Sequence, residues 1–579
     1  MSRASDTRQK NGPRDREGFR QAMSWLHTWA GLVLGWLLFA IFLTGTLSFF
    51  RYEFNQWMRP EMHGLAATSA SDAAQVAQKA VDALHRQHPD VTQWILRLPD
   101  AREPAVTLLW RGTGNGRFET LRMDPHTGEV LRPRETMGGE FFYRFHFELR
   151  TAQKGRFTLE GRWVVGAATL LMFIALLTGI VTHRRFFKDF FTFRPGKGGQ
   201  RAWLDAHNVS GVLVLPFYLM ITFSGLMIFH SLYMPAGIAT AYRGEKGVDS
   251  AAYFADLQGE KPESRPRRGP REAVAPLPRI TLQPLVDASV AHWDGGRLGG
   301  LQARRDAHGR MVVEAIRHEG DRLQYRPPRL LFDGATGQLL EQPDATTPAL
   351  KTYGVLYGLH MARFAGPGMR WVLFGFGLLG SLMIATGMVL WSVKRSTRGR
   401  TQNAQGASRR ASATGSAAHA AEATAHHRIP WGERLVSAIN IATLGGLPLA
   451  CGVYLASNRL LPLDLPGRPD AELACFFSAW GLALLWGLGS CMLLRPGRLG
   501  WCVVMAAAAA VWATLPVLNA LTTHAHLGAT LPAGEWAWAG MDLAFAATGA
   551  VLGVLAWRLR PVAPRRPAPF GLGPEGLSV

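Results

Sequence analysis

Cysteine is nearly missing from this sequence. Only Cys451, Cys475, Cys491 and Cys502 occur in 579 residues, all in or beside apolar segments, and no two form a Cys-x-x-Cys pair. That excludes an iron–sulfur or zinc-thiolate signature and a disulfide framework in the polar parts. Acidic residues are also short, 42 against 63 Lys and Arg, for a formal net charge of +21. A nucleic-acid partner would use such a surplus. The basic residues, however, gather in loops and tails beside apolar runs, where the positive-inside rule puts them, so no nucleic acid is expected. No Gly-x-Gly-x-x-Gly turn between a strand and a helix is evident, so no flavin or nicotinamide site is expected in this chain. The first apolar run is too long for a signal-peptide core and no small-residue cleavage site closes it, so it reads as an uncleaved anchor.

What the chain has instead is long stretches free of charge, each about 20 residues, the length that crosses a bilayer. In order, the sequence predicts a basic tail over 1–25, a span over 26–50 and a polar domain over 51–161. A second span at 163–183, a loop at 184–206 and a third span at 207–231 follow. A second polar domain covers 232–358, and a fourth span 370–391. An Ala/Ser/Gly-rich linker fills 392–433, four more spans lie within 434–557, and a basic tail runs over 558–579. The stretch RRFFKDFFTFRPGKGGQR carries six Lys or Arg and belongs on the cytoplasmic side. Eight spans with both termini inside agree with every loop. The fold class is a polytopic all-α membrane protein with two small α+β domains outside the membrane.

The first 395 residues contain a duplication. His27, Gly31 and Thr44-Gly45 recur with identical spacing as His207, Gly211 and Ser224-Gly225. Arg162-Trp163 and Thr178-Gly179 recur as Arg370-Trp371 and Thr386-Gly387. The turn DPHTGEVL at 124–131 matches DGATGQLL at 333–340. Each turn is followed by a histidine ahead of the next span, His146 in FYRFHFELR and His360 in LYGLHMARF. Two copies in the same orientation relate by an axis along the membrane normal. In a straight helix Gly225 returns to the face of His207 roughly 27 Å along it.

Ionisable side chains at membrane depth are costly and mark functional sites. The repeat brings His27 towards His207 at the inner face and His146 towards His360 at the outer face. Two imidazoles facing each other across a four-helix core can hold haem iron axially from both sides. The predicted cofactors are therefore two bis-histidine haem b groups, with the iron on His27 and His207 and on His146 and His360. Gly31 and Gly211 would make room beside the inner pair, Gly45 and Gly225 at the outer haem; close helix packing explains such glycines equally well. Arg150, Arg162, Arg363 and Arg370 are candidate partners for the haem propionates, and snorkelling at the interface accounts for them equally. His183 is the reserve inner ligand, although its counterpart in the repeat is Trp391. His230 lies about 140° around the helix from His207 and has no counterpart. His419, His426 and His427 fall in the linker, and His524 and His526 in an outer loop.

The chain resembles the PepSY-associated transmembrane family of iron-regulated membrane proteins. The likeness rests on WLHTWAGLVLGWLLFAIFLTGTLSFFR, FYRFHFELR, GRWVVG, the stretch from THRRFF to ITFSGL with YMP after it, and LYGLHMARFAGP with the TGMVLW end. The two Asp-x-x-Thr-Gly turns resemble PepSY repeats, the second with Gly334 where the first has Pro125. The resemblance implies a dihaem protein of the bacterial inner membrane with two PepSY-like periplasmic domains. It would take electrons from a quinol or a cytoplasmic reductase and reduce a periplasmic acceptor, ferric iron in a siderophore, to release ferrous iron. Two other readings stand beside this one. A siderophore or metal permease without redox activity would show charged or broken helices at mid-membrane. A non-catalytic PepSY binding or inhibitory protein would leave the inner histidines without a role.

Overall fold

The computed structural model describes residues 18–65, 72–113, 117–149, 158–182, 199–244, 247–258, 275–306, 308–341, 347–414, 429–494 and 497–561. Among these, seven helices are long and apolar enough to cross a membrane, and a bent pair makes an eighth candidate. Within a bilayer each helix satisfies its own backbone, which is why such runs fold this way. Spans 1 to 4 are Phe19–Leu47, Thr158–Thr182, the pair Gly199–Leu213 and Leu215–Ile228, and the membrane part of Pro367–Thr414. Spans 1 and 3 are diagonal, each packing on spans 2 and 4. Spans 5 to 8 are Trp431–Leu460, Arg468–Leu493, Arg498–Thr522 and Trp536–Leu559.

Span 3 is not the straight helix its spacing predicts. Its halves meet at 68° beside Pro216. Proline has no N–H to give and its ring crowds the preceding turn, so the helix restarts there. Tyr218, fully buried, donates its hydroxyl to the Ser210 carbonyl at 3.0 Å and closes the break. The start of the predicted linker is also different. The helix of span 4 continues to Thr414, because the stretch after residue 391 has no proline before Pro430 to stop it. Within span 4, Gly375–Gly380 spells Gly-x-Gly-x-x-Gly, yet it is mid-helix. There Gly377 seats Thr46, and Gly380 seats the Phe42 and Tyr218 rings, where added Cβ atoms would come within 2.3 to 3.1 Å of them.

The two polar segments do not stay apart. The first contributes strands β1 (Val91–Arg97), β2 (Val106–Gly112), β3 (Glu119–Met123) and β4 (Val130–Leu131). After a short hairpin, β5 (Arg243–Gly244) and β6 (Gly247–Val248), the second adds β7 (Leu298–Arg305), β8 (Met311–Arg317), β9 (Arg329–Asp333) and β10 (Leu339–Glu341). Eight of these strands form one antiparallel sheet in the order β10-β9-β8-β7-β1-β2-β3-β4. The seam is β1 against β7, with Leu96 opposite Leu301 and Arg97 opposite Gly300. Gly300 is needed there, since a Cβ would stand 2.3 Å from the Leu96 carbonyl oxygen. Burial alternates along β2, as a sheet with one covered face requires. Helices Ala73–Gln87 and Gln283–His292 share one core with both halves, around Trp94, Leu108, Leu301, Val313 and Phe332.

The repeated turns keep one geometry. Asp124 Oδ1 accepts from the amides of His126 and Thr127, and Asp333 Oδ1 from those of Ala335 and Thr336. Gly128 and Gly337 close them at φ 74° and 73°. Gly334 in place of Pro125 leaves room for Met311.

Spans 5 to 8 dock on spans 1 and 4. Trp36 donates to Asn440 at 2.8 Å, and Asn440 to Ser392 at 3.2 Å. At the sheet end, Arg468 and Glu472, both buried, pair at 2.7 Å, and Glu472 accepts from Thr136 at 2.5 Å and Asn458 at 2.8 Å. A buried pair satisfied on this scale is destabilised strongly if one member is removed.

Candidate functional site: two histidine pairs

Four histidines meet in two pairs at the two ends of the four-span core. On the far side from the sheet, His27 of span 1 faces His207 of span 3, with ring centroids 6.2 Å apart. On the sheet side, His146 from helix Glu140–Glu148 faces His360 from helix Pro348–Met361 at 6.1 Å. Both short helices end in a left-handed residue, Leu149 (φ 52°) and Ala362 (φ 50°). The left-handed residue ends each helix three or two residues after its histidine.

One local device holds all four rings. Spans 1, 2, 3 and 4 each carry a hydroxyl–glycine pair: Thr44-Gly45, Thr178-Gly179, Ser224-Gly225 and Thr386-Gly387. Each hydroxyl bonds back to the carbonyl three residues earlier, on Ile41, Ala175, Ile221 and Met383. The imidazoles use the same carbonyls. His146 Nδ1 lies 2.8 Å from Ile41 O, His27 Nδ1 2.8 Å from Ala175 O, and His207 Nδ1 2.8 Å from Met383 O. His360 Nδ1 is 3.0 Å from Ser224 Oγ, and the Ile221 carbonyl reaches the same ring. A carbonyl only accepts, so Nδ1 carries the proton and the lone pair of the neutral ring lies on Nε2. Burial pushes the His146 and His360 imidazoles down, His360 to about 3 with His146 adding to the effect.

The glycines make room for the rings. A Cβ on Gly45 would lie 2.6 Å from His146 Nδ1, and one on Gly225 3.1 Å from His360 Cε1. On the far side that role falls to Gly179 against His27 at 3.2 Å and Gly387 against His207 at 3.0 Å. Gly31 and Gly211 line the far-side cavity without touching either ring: Gly31 has nothing within 4 Å, and Gly211 meets Met383. The Thr-Gly pairs of spans 2 and 4 were visible as repeat markers. Their use lies in contacts between helices, Gly179 with His27 and Gly387 with His207.

The pairs fit a metal held axially. Two imidazole–metal bonds of about 2.0–2.1 Å, plus the roughly 1.1 Å from each nitrogen to its ring centre, set centroids about 6.3 Å apart with the metal between them. Among the described residues no three His, Cys, Asp or Glu side chains gather as a metal set. Each pair thus brings two imidazoles, and no third side chain of these kinds, to one place. Both pairs open on cavities, with about 1360 Å³ of empty space on the sheet side and 1480 Å³ on the far side, open mouths included.

Arg363 and Arg370 line the sheet-side cavity, joined by Arg51 and Arg102. Arg162 does not line it; it pairs with Glu148 and lies over Phe147 and Phe229. Arg51 ends span 1 and Arg102 sits on the β1–β2 loop of the sheet, positions with no signal in the repeat. His230 bonds Tyr253 at 2.7 Å and takes no part in either pair. Arg150 and His183 lie outside the described residues, as do His419, His426 and His427. His524 and His526 sit in the loop joining spans 7 and 8.

A sequence model described as the PepSY-associated TM region matches residues 24–394, the stretch that holds both histidine pairs and the sheet. The chain belongs to this family. It is also 27% identical to an uncharacterised protein of Pseudomonas aeruginosa over 430 residues, 69% of this chain and 90% of that protein. Residues 431–560 of this PepSY-associated chain, with spans 5 to 8, lie beyond the family match.

Proposed function

We propose that this protein is a dihaem b-type electron carrier of the bacterial inner membrane that reduces a periplasmic acceptor, ferric iron in a siderophore. The observation that carries the reading is the pair of opposed imidazoles, 6.2 and 6.1 Å apart, at the two ends of one bundle. His27 with His207, and His146 with His360, would hold the haems, which would supply reversible one-electron chemistry. The chain's own part is to hold each Nδ1 proton on a helix carbonyl, which fixes ring orientation and raises ligand basicity. The sheet side is the periplasmic side in this reading, and both termini are cytoplasmic. The donor is a separate molecule, a quinol or a cytoplasmic reductase.

A permease is favoured by one feature, the break in span 3. That break is packed rather than lined by polar groups, with Tyr218 and Phe217 buried at it. The visible spectrum of the purified protein, oxidised and dithionite-reduced, decides between them. A Soret band and a sharp reduced α-band are expected. Their absence from protein purified out of haem-replete cells would overturn the reading.

A further inference from the structure

The wall of the sheet-side cavity has a charge pattern that histidine ligation does not explain. Arg51, Arg102, Arg363 and Arg370 line it, with the phenols of Tyr52, Tyr143, Tyr233 and Tyr357, and among the described residues no carboxylate does. The acids stand behind the arginines. Glu53 holds Arg102 through Nε at 3.0 Å and Nη2 at 2.8 Å, and holds Arg370 as well. Glu319 pairs with Arg363 and accepts from Tyr52 at 3.3 Å, and Glu140 stands 3.6 Å from Arg51. Three carboxylates thus serve four guanidiniums, and one of them serves two. Arg370 is only 8% exposed, and its Nε, like that of Arg363, is buried without a hydrogen-bond partner. A guanidinium fork has five donors and is held here at the edge of a low-dielectric region. Four guanidiniums on one cavity wall against three carboxylates leave a surplus of positive charge and fork donors that suits an anion.

The sheet contributes to this wall. Arg102, on the β1–β2 loop, reaches past Glu53 to donate to the Phe49 carbonyl at 2.9 Å. Glu319 comes from the β8–β9 loop and meets Arg363 after the His360 helix. Both halves of the sheet therefore roof the cavity above His146 and His360.

We propose that this cavity carries a carboxylate-binding site made by Arg51, Arg102, Arg363 and Arg370. Where its ligand is the propionate edge of a porphyrin, the site rests on the dihaem reading above. The same chemistry would take a free carboxylate chelate of ferric iron approaching under the sheet.

The test uses the full-length apoprotein reconstituted with haem b and with haem b dimethyl ester, whose propionates are capped. If propionates fill the site, the ester binds the far-side pair normally and the sheet-side pair about tenfold more weakly. R370Q and R102Q then weaken haem b there by a similar factor, with R102K, which keeps charge but loses the fork, in between. If a free carboxylate fills it, haem b and ester bind alike. Ferric citrate then perturbs the sheet-side spectrum in wild type, and about tenfold more of it is needed in R102Q. Equal binding of haem and ester, with a citrate response unchanged in R102Q and R370Q, overturns the proposal. Full far-side occupancy in each variant serves as the folding control. A protein that takes up no haem at all sinks the electron-transfer reading instead. The anion site is then read from a citrate-induced rise in melting temperature, which R370Q must abolish for the proposal to stand.

Discussion

On the sheet side, His146 and His360 look into a cavity walled by four arginines and the phenols of Tyr52, Tyr143, Tyr233 and Tyr357. On the far side, His27 and His207 share theirs with Met172, Met383 and Met388, and Lys394 is the one cation lining it among the described residues. The rings themselves are held alike at both ends, by a carbonyl that also takes a Thr or Ser hydroxyl and by a glycine one residue on. Ring placement therefore comes from a unit written into each span. The electrostatic setting comes from whatever the chain places around that unit.

The sharpest way to break this comparison is to delete one ligand at a time. H207A and H360A should each lose about half the haem, measured by pyridine haemochrome, and the double variant all of it. An H207A protein with full haem content would mean another residue holds the far-side group. The next largest effect concerns the glycines. G45A puts a methyl group 2.6 Å from His146 Nδ1 and should empty the sheet-side site, whereas G31A, with open space around it, should change nothing. G179A, at 3.2 Å from His27, should fall between them, with a shifted spectrum rather than lost haem.

The hydroxyls should matter less. T178V removes one of two side-chain donors to the Ala175 carbonyl and leaves His27 on it. Haem content should hold, with stability changing by about 1 kcal/mol, read from thermal loss of the Soret band. A larger loss would make the hydroxyl, not the imidazole, the partner that fixes the carbonyl.

The smallest effect separates sheet from bundle by pH. Burial works to raise Asp100, but His318 and the amides of Glu103 and Arg102 outweigh it and hold the carboxyl below 3.8. The amides of Thr336 and Ala335 hold Asp333 below the same value. A depressed carboxylate stabilises the fold above its ordinary pKa, and that contribution fades as pH falls through the folded value. Amide exchange should therefore speed up in the sheet below about pH 3.8 while the spans, with few carboxylates, keep their protection. Equal acceleration in both would show that sheet and bundle unfold as one unit.

Much of this was legible in the chain. Span positions followed from uncharged runs, because burying a charge in a bilayer is costly. The histidine pairs follow from the repeat, because two copies about one axis bring equivalent residues face to face. The bend in span 3 was hinted at by Pro216, but its angle was not. Sequence spacing treats a helix as straight and puts His207 and Gly225 on one face; the 68° bend breaks that line, while Gly225 still lies at the outer pair, against His360.

The sequence by itself determined what lies along each helix: the periodicity of spans, the hydroxyl–glycine pairs, the histidines and the Asp-x-x-Thr-Gly turns. These depend on neighbours within a turn or two, where local bonding decides. Only the tertiary structure decided which glycine faces which ring, that Arg51 and Arg102 join the sheet-side wall while Arg162 does not, and that two polar segments close into one sheet. Those are contacts between segments far apart in the chain. Each half of the sheet taken alone would leave one strand, β1 or β7, with open hydrogen-bonding groups along its length, and the two halves close on each other there. Which edge they find is set by packing of the whole and by a glycine small enough to let them meet.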